Sequence, residues 1–310
     1  MGQILAVTLP LYILIGLGWL AVRARYLAAA DLVGASRVVM QVFLPAMIFL
    51  AIASRPLREA LHPGFLAAYL LAALGAMALT WTMARLSGQG RAAAAIEAMG
   101  ASCPNSGYFG LPLVTVTLGA GVATQAFAMA VVVENMLVIP VAIALCDLAR
   151  GGGGRGWRGF LLPLARNPML IAVAAGLAWS ATGAPLPDLA LRVLRMMVPV
   201  AAPVVLIAIG GALAGMSPRA ELAGAARVGL GKLVLHPLLA FGLALLLAPG
   251  LDGPMRAALV LYAASPMMTI YTLFGQRYGQ EGLAVTAMLA AITASVMTVP
   301  VAVWLLERAG

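Results

Sequence analysis

The run Gly100-Ala-Ser-Cys-Pro-Asn-Ser-Gly107, followed by Gly110-Leu-Pro112, gathers helix-breaking and hydrogen-bonding residues inside an apolar stretch. Proline removes a backbone donor and clashes with the preceding turn, and glycine lowers helix propensity. Pro104, Asn105, Ser106 and Gly107 together are therefore expected to unwind a helix there. A second such place is Ser265-Pro266, followed by Met267, Met268 and Thr269. Half-helix N-termini present free N–H groups and partial positive charge, which suits a carboxylate. Pro104, Asn105, Ser106, Gly107, Ser265, Pro266 and Met267 are the expected ligand-binding set. Glu134, in Val131-Val-Val-Glu-Asn-Met-Leu-Val-Ile-Pro140, is the other candidate for chemistry. At the middle of a bilayer its carboxylate costs on the order of 2.5–3.5 kcal/mol, so it must be paired, neutral or facing water. It reads as a proton-handling or gating group, or as a carboxyl bonded to a neighbouring helix. Asn135 beside it points about 100° round the helix. Gln41 is a further deep polar group, with a helix–helix hydrogen bond as its simpler role.

Other reactive residue types form no recognisable set. Lys232, the only lysine, lies in Gly231-Lys-Leu-Val-Leu-His-Pro237 and is expected to snorkel to the membrane surface. His62 and His236 each precede a proline near expected helix ends and lack a cluster of further ligands, so no metal and no cofactor is expected. Cys103 and Cys146 fall inside apolar stretches without CxxC spacing. Gly211-Ala-Leu-Ala-Gly215 is a GxxxG pattern that fits close helix packing or dimerisation. Without a Ser/His/Asp set, a phosphate-binding loop or paired carboxylates, the chain does not read as an enzyme.

The elements that hold these residues follow from composition. Of 310 residues, 63% are hydrophobic and 9% charged, against roughly 25% charged in a soluble domain. Residues 4–22 and 64–84 carry no formal charge, and blocks of about 18 or more such residues span membranes. The first block is too long for a signal-peptide core and has no basic residue before it, so it is expected to be retained. The fold expected is all-α and integral to the membrane, with ten spans at 4–22, 33–53, 64–86, 92–118, 123–147, 166–183, 192–215, 228–248, 254–276 and 283–305. Counting about 1.5 Å per residue puts Asn105 roughly 20 Å into the fourth span and Glu134 roughly 16 Å into the fifth. The net charge of +9 comes from basic residues scattered among short connections, which points away from nucleic acid and towards cytoplasmic loops. With the N-terminus outside, 13 Lys and Arg fall on the cytoplasmic side and 6 on the outer side, so both termini are expected outside.

The chain also repeats itself. Pro10 and Gly18 recur as Pro168 and Gly176, Pro45 as Pro203, Pro104 as Pro266, and Pro140 as Pro300, at offsets of 158 to 162. Five spans per half is an odd number, so similar halves must be inverted. Residues 1–149 form the first expected repeat and residues 164–310 the second. Between them, 150–163 is a glycine- and arginine-rich cytoplasmic linker. Two broken helices at matching places in inverted halves are a feature of transporters.

Together these features resemble the auxin efflux carrier family of the bile/arsenite/riboflavin transporter superfamily, which includes plant PIN carriers and bacterial malonate-type permeases. The most specific pieces are Pro104-Asn105-Ser106-Gly107 with Gly110-Leu111-Pro112, similar to the family's Pro-Asn-Thr…Gly-Ile-Pro crossover. Lys232-Leu-Val-Leu-His-Pro237 and Ala264-Ser265-Pro266 support it. The resemblance implies that broken spans 4 and 9 cross. It also implies a scaffold of spans 1, 2, 6 and 7, a mobile transport unit of spans 3–5 and 8–10, elevator-like alternating access, and a homodimer in a bacterial cell membrane. By position, Asn105 would bind the substrate carboxylate. Glu134 falls where plant members have a glutamine near an accessory site, a departure that bears on substrate and ion coupling. The long central hydrophilic loop of many plant members is absent.

The function expected is transport of small organic anions across the lipid bilayer. A sodium-coupled symporter of the related bile-acid type is the alternative within transport, disfavoured by the lack of an acidic cluster. A ligand-binding sensor would bind without flux, and a channel would conduct without saturation.

Overall fold

The computed structural model describes residues 2–56, 61–151, 166–216 and 221–309. All regular structure among them is helical: α1 (Gly2–Arg23), α2 (Ala29–Ala53), α3 (Pro63–Leu86), α4 (Arg91–Ser102), α5 (Ser106–Leu118), α6 (Ala120–Ala149), α7 (Pro168–Thr182), α8 (Asp188–Ala214), α9 (Leu222–Leu247), α10 (Gly253–Ala264), α11 (Tyr271–Arg277) and α12 (Glu281–Ala309). Of these, α2, α3, α6, α8, α9 and α12 are long and apolar enough to cross a membrane. The protein is a multi-pass membrane protein. Its exposed surface agrees: Leu9, Ile13, Leu17 and Leu20 on α1 and Met297, Val301 and Leu305 on α12 are all exposed. In water such side chains would be buried; here they meet lipid.

Helix ends follow local chemistry. Three helices open on a capping side chain followed by proline or Gly-Pro: His62 Nδ1 accepts from Phe65 N, Asn167 Oδ1 from Met169 N, and Asp252 Oδ1 from Met255 N. Two helices start earlier than expected without a side-chain cap: α8 begins at Asp188 rather than 192, and α9 at Leu222 rather than 228. The linker at 150–163 lies, after its first two residues, outside the described residues.

Four helices contain a widened π turn: Val39–Phe43 in α2, Ser106–Gly110 opening α5, Glu134–Val138 in α6 and Gly231–Leu235 in α9. In each, the residue just before a proline donates its N–H five residues back: Leu44 to Val39, Leu111 to Ser106, Ile139 to Glu134 and His236 to Gly231. Proline can make no such bond, and its ring pushes on the carbonyl four residues earlier; widening the turn relieves that clash.

The closest helix pairings fall in two sets, which also meet, most of all along α2 and α6. α1 packs along α8, α7 along α2, and α8 along α2. Separately, α3 packs on α4 and α9, and α12 on α9 and α11. With no hydrophobic drive between helices in lipid, close approach depends on small residues. α4 illustrates it: Ala94, Ala95, Ala98, Ala101 and Ser102 are fully buried. At the α1–α8 crossing, a Cβ on Gly18 would overlap the Ile207 carbonyl, and one on Gly210 the Ile15 carbonyl. The GxxxG pattern is therefore off by one position. Gly210 makes the backbone contact, Gly211 faces Leu32, and Gly215 is not closely approached.

Candidate functional site

The stretch expected as one broken span at 92–118 is two helices, α4 and α5, and the ninth expected span is likewise α10 and α11. Proline sets both breaks, because a residue before proline is driven from helical to extended backbone. Cys103 (φ −103°, ψ 94°) and Ser265 (φ −64°, ψ 144°) are extended, each just before its proline. The two extended pieces meet as an isolated antiparallel bridge between Pro104 and Met267. Asn105 N donates to the Pro266 carbonyl at 2.7 Å, and Met268 N to the Cys103 carbonyl at 3.0 Å. An unpaired peptide group in hydrocarbon costs several kcal/mol, so each break supplies what the other lacks.

Asn105 starts α5. Its Oδ1 accepts from Tyr108 N at 3.3 Å, and its backbone carbonyl accepts from Phe109 and Gly110. Its Nδ2 donates to Thr269 Oγ1 at 3.0 Å, joining the two breaks by side chains as well. Beside it lies a cavity of about 380 Å³ lined by α2, α6, the starts of α5 and α7, and residues 268–270. Pro104, Asn105, Ser106, Gly107, Glu134, Asn135 and Gln41 all line it. Ser265, Pro266 and Met267 do not. Ser265 and Met267 are fully buried at the crossing, and the Ser265 hydroxyl turns back to the Leu261 carbonyl. Met268, Thr269 and Ile270 take their place in the lining.

Glu134 sits 6% exposed at the first residue of the α6 π turn. Tyr69 of α3 donates to its Oε1 at 2.7 Å, and so does the Ser106 hydroxyl. The neighbouring Asn135 accepts at Oδ1 from Asn167 Nδ2 at 2.9 Å and donates to the Val131 carbonyl. Asn167 is the cap of α7, so that helix's N-terminus is fastened to the α6 π turn. The N-termini of α5 and α7 thus both border one cavity, which among the described residues no arginine or lysine lines. The donors an anion would meet are amides, hydroxyls and helix ends.

Behind Glu134, Lys232 corrects the snorkelling expectation. It is 0% exposed, because the α9 π turn directs it inward; its ammonium donates to the Ala263 carbonyl and contacts His236 Nδ1 at 3.0 Å. His236 is likewise fully buried within α9, its ring 6.2 Å from that of Tyr69. Tyr69, Asn167 and Thr269 thus belong to the site although the sequence pattern did not select them, and Lys232 with His236 is packed behind Tyr69. Asn167-Pro168 carried a usable signal, the cap-then-proline start of a helix; Tyr69 carried none, since its partner is 65 residues away.

The sequence profile of a family described as "Membrane transport protein" matches residues 4–152 and 158–305. The chain is also 27% identical over 307 residues to a protein of Rhizobium meliloti (strain 1021) named "Putative malonate transporter", covering 96% of this chain and 94% of that protein.

Proposed function

The chain belongs to the membrane transport protein family, that of the auxin efflux carriers, and from this premise we propose that it is a secondary carrier of small carboxylate anions of malonate size. It is a transporter and not an enzyme. The observation that carries the substrate class is the meeting of two broken helices beside a cavity bordered by two helix N-termini and by Asn105, Thr269, Asn135 and Asn167. A carboxylate satisfies free N–H groups and amide donors there without a fixed counter-charge. The similarity to a protein named for malonate favours a small dicarboxylate.

The fold reading is ten spans in two inverted five-span repeats, with α4/α5 and α10/α11 as the broken fourth and ninth. Matched glycines support it. Gly18 meets α8 at Ile207, and its repeat mate Gly176 meets α2 at Ile52 and Phe49. First span against seventh thus mirrors sixth against second. The separate packing of α1, α2, α7 and α8 supports a scaffold, with α3–α6 and α9–α12 as the transport unit. Elevator-type movement then carries the crossing and its cavity past α2 and α8. The protein acts in the bacterial cell membrane as a homodimer with both termini outside, and Glu134 is the proton-handling or gating group.

Counterflow of radiolabelled malonate in proteoliposomes tests the reading. Saturable uptake stimulated by internal unlabelled malonate is expected. Binding to the purified protein without flux would instead assign a sensor.

A further inference from the structure

A second cavity, of about 380 Å³, lies further along the same α2–α6 seam. It is bordered by Met47, Ala51, Arg55, Gly121, Thr124 and Arg195, whereas the crossing cavity touches α2 at Met40 and Gln41 and α6 from Phe127 onward. Gln41 and Ala51 are ten residues apart on α2, roughly 15 Å along the helix axis. Packed side chains fill the space beside the crossing: a Cβ on Gly107 would sit 3.3 Å from Leu44 Cδ1 and 3.5 Å from the Phe127 ring, and both residues are buried.

Its charge is the reverse of the first cavity's. Arg55 and Arg195 line it and, among the described residues, no Asp or Glu does. Among the described residues neither arginine has a carboxylate within ion-pair distance, whereas Arg227 is held by both oxygens of Glu97 at 2.6 and 2.7 Å. A second positive pole adjoins them. α6 starts at Gly119 (φ +88°), which has no side chain to cap its first N–H groups. A Cβ on Gly121, in that first turn, would lie 4.0 Å from Arg55 Nη2. A guanidinium at the positive end of a helix is a like-charge contact, and an anion between the two turns it favourable. Guanidinium groups bind carboxylates through paired, charge-assisted hydrogen bonds.

We propose that Arg55, Arg195 and the N-terminus of α6 form a second anion site, which holds a small dicarboxylate on the side of the packed barrier away from the crossing. Its use as a waiting station for transported anion rests on the carrier reading above; binding itself does not. Equilibrium dialysis with radiolabelled malonate, on purified protein in phosphatidylcholine nanodiscs, separates the two. Asn105→Ala protein, impaired at the crossing, is expected to retain malonate binding that weakens as sodium chloride is raised. Adding Arg55→Gln and Arg195→Gln is expected to weaken that binding by at least about tenfold. Arg55→Lys with Arg195→Lys, which keeps charge but loses the paired geometry, is expected to fall between; this pair guards against a folding defect in the Gln variants. Binding that survives the Gln variants, or is absent once Asn105 is removed, overturns the proposal. So does displacement of malonate by added phosphatidylglycerol, which would assign the arginines to a lipid phosphate. If wild-type protein shows this arginine-dependent binding but no counterflow, the carrier reading fails and the second site stands.

Discussion

Asn105 performs three tasks with one side chain: it starts α5, holds Thr269 and lines the cavity. Asn105→Ala removes a donor to the anion and the cap together. A lost hydrogen bond to a charged group is worth about 1.5–3 kcal/mol, so malonate affinity should fall roughly 10- to 150-fold. Calorimetry on the variant in the Arg55→Gln, Arg195→Gln background, where the crossing alone is read, measures it, and unchanged affinity there would reduce Asn105 to a helix-start residue. Glu134 calls for a different substitution. Its Oε1 accepts from Tyr69 and Ser106, and Glu134→Gln keeps an acceptor there while removing the ionisable group. An ionised Glu134 repels a carboxylate and a protonated one does not. Wild-type affinity should therefore fall relative to that of the Gln variant as pH rises from about 5 to 8, malonate's own second ionisation being common to both. Parallel profiles would make Glu134 a structural carboxyl held by Tyr69 and Ser106. Asn105, Ser106 and Glu134 could be picked out of the sequence because they are polar in apolar surroundings. Tyr69 and Lys232 could not: tyrosine is ordinary in a core, and a lone lysine reads as a surface residue until α9 is seen turning it inward.

At the scale of elements, polar function and proline geometry coincide. The four π turns carry Gln41, Ser106, Glu134 with Asn135, and Lys232, each turn ending two residues before a proline. The widened turn sets the direction of the polar group. Pro140→Ala restores a donor for the Met136 carbonyl and lets the regular ladder close. One residue of excess winding is then lost, which turns Glu134 by about 100° relative to the helix beyond it. The pH dependence of malonate binding should flatten as in Glu134→Gln, while thermal stability holds or rises. A wild-type pH profile would show that the turn is incidental. The sequence marked the two chain breaks, because Pro104 and Pro266 sit among other helix breakers. It did not mark the π turns, since proline in a membrane helix predicts a kink and not which residues the kink redirects. Nor could the shift from Ser265, Pro266 and Met267 to Met268, Thr269 and Ile270 be read from it; that depends on where the bridge places the chain.

Across the whole molecule, the α1–α8 crossing joins the two halves of the packed set α1, α2, α7 and α8. Gly210→Ala pushes a methyl into the Ile15 carbonyl and should cost about 1–3 kcal/mol, as overpacking does. Gly16→Ala, on the same α1 helix with open space around it, should be neutral or mildly stabilising. Thermal melts of both variants in one detergent decide whether this contact is as tight as its geometry. Orientation is tested with single cysteines, the native Cys103 and Cys146 being buried. Tyr26→Cys, in the highly exposed loop after α1, should resist a membrane-impermeant thiol reagent on intact cells. Gly250→Cys, between α9 and α10, should react. Labelling of both from one side would remove the inverted-repeat reading. Membrane class and the internal repeat could be read from hydropathy and proline spacing. The pairing of α1 with α8 could not, because it rests on single glycines among 34.

The bridge at the crossing is made by main-chain atoms: Asn105 N to Pro266 O, and Met268 N to Cys103 O. The side-chain bond from Asn105 Nδ2 to Thr269 Oγ1 reinforces it without being part of the main-chain pair. Substitutions at positions 106 and 268 therefore leave the main-chain knot itself intact. The architecture separates a main-chain frame from the side chains around it, so that exchanging a few lining residues would change what the cavity accepts while the frame stays.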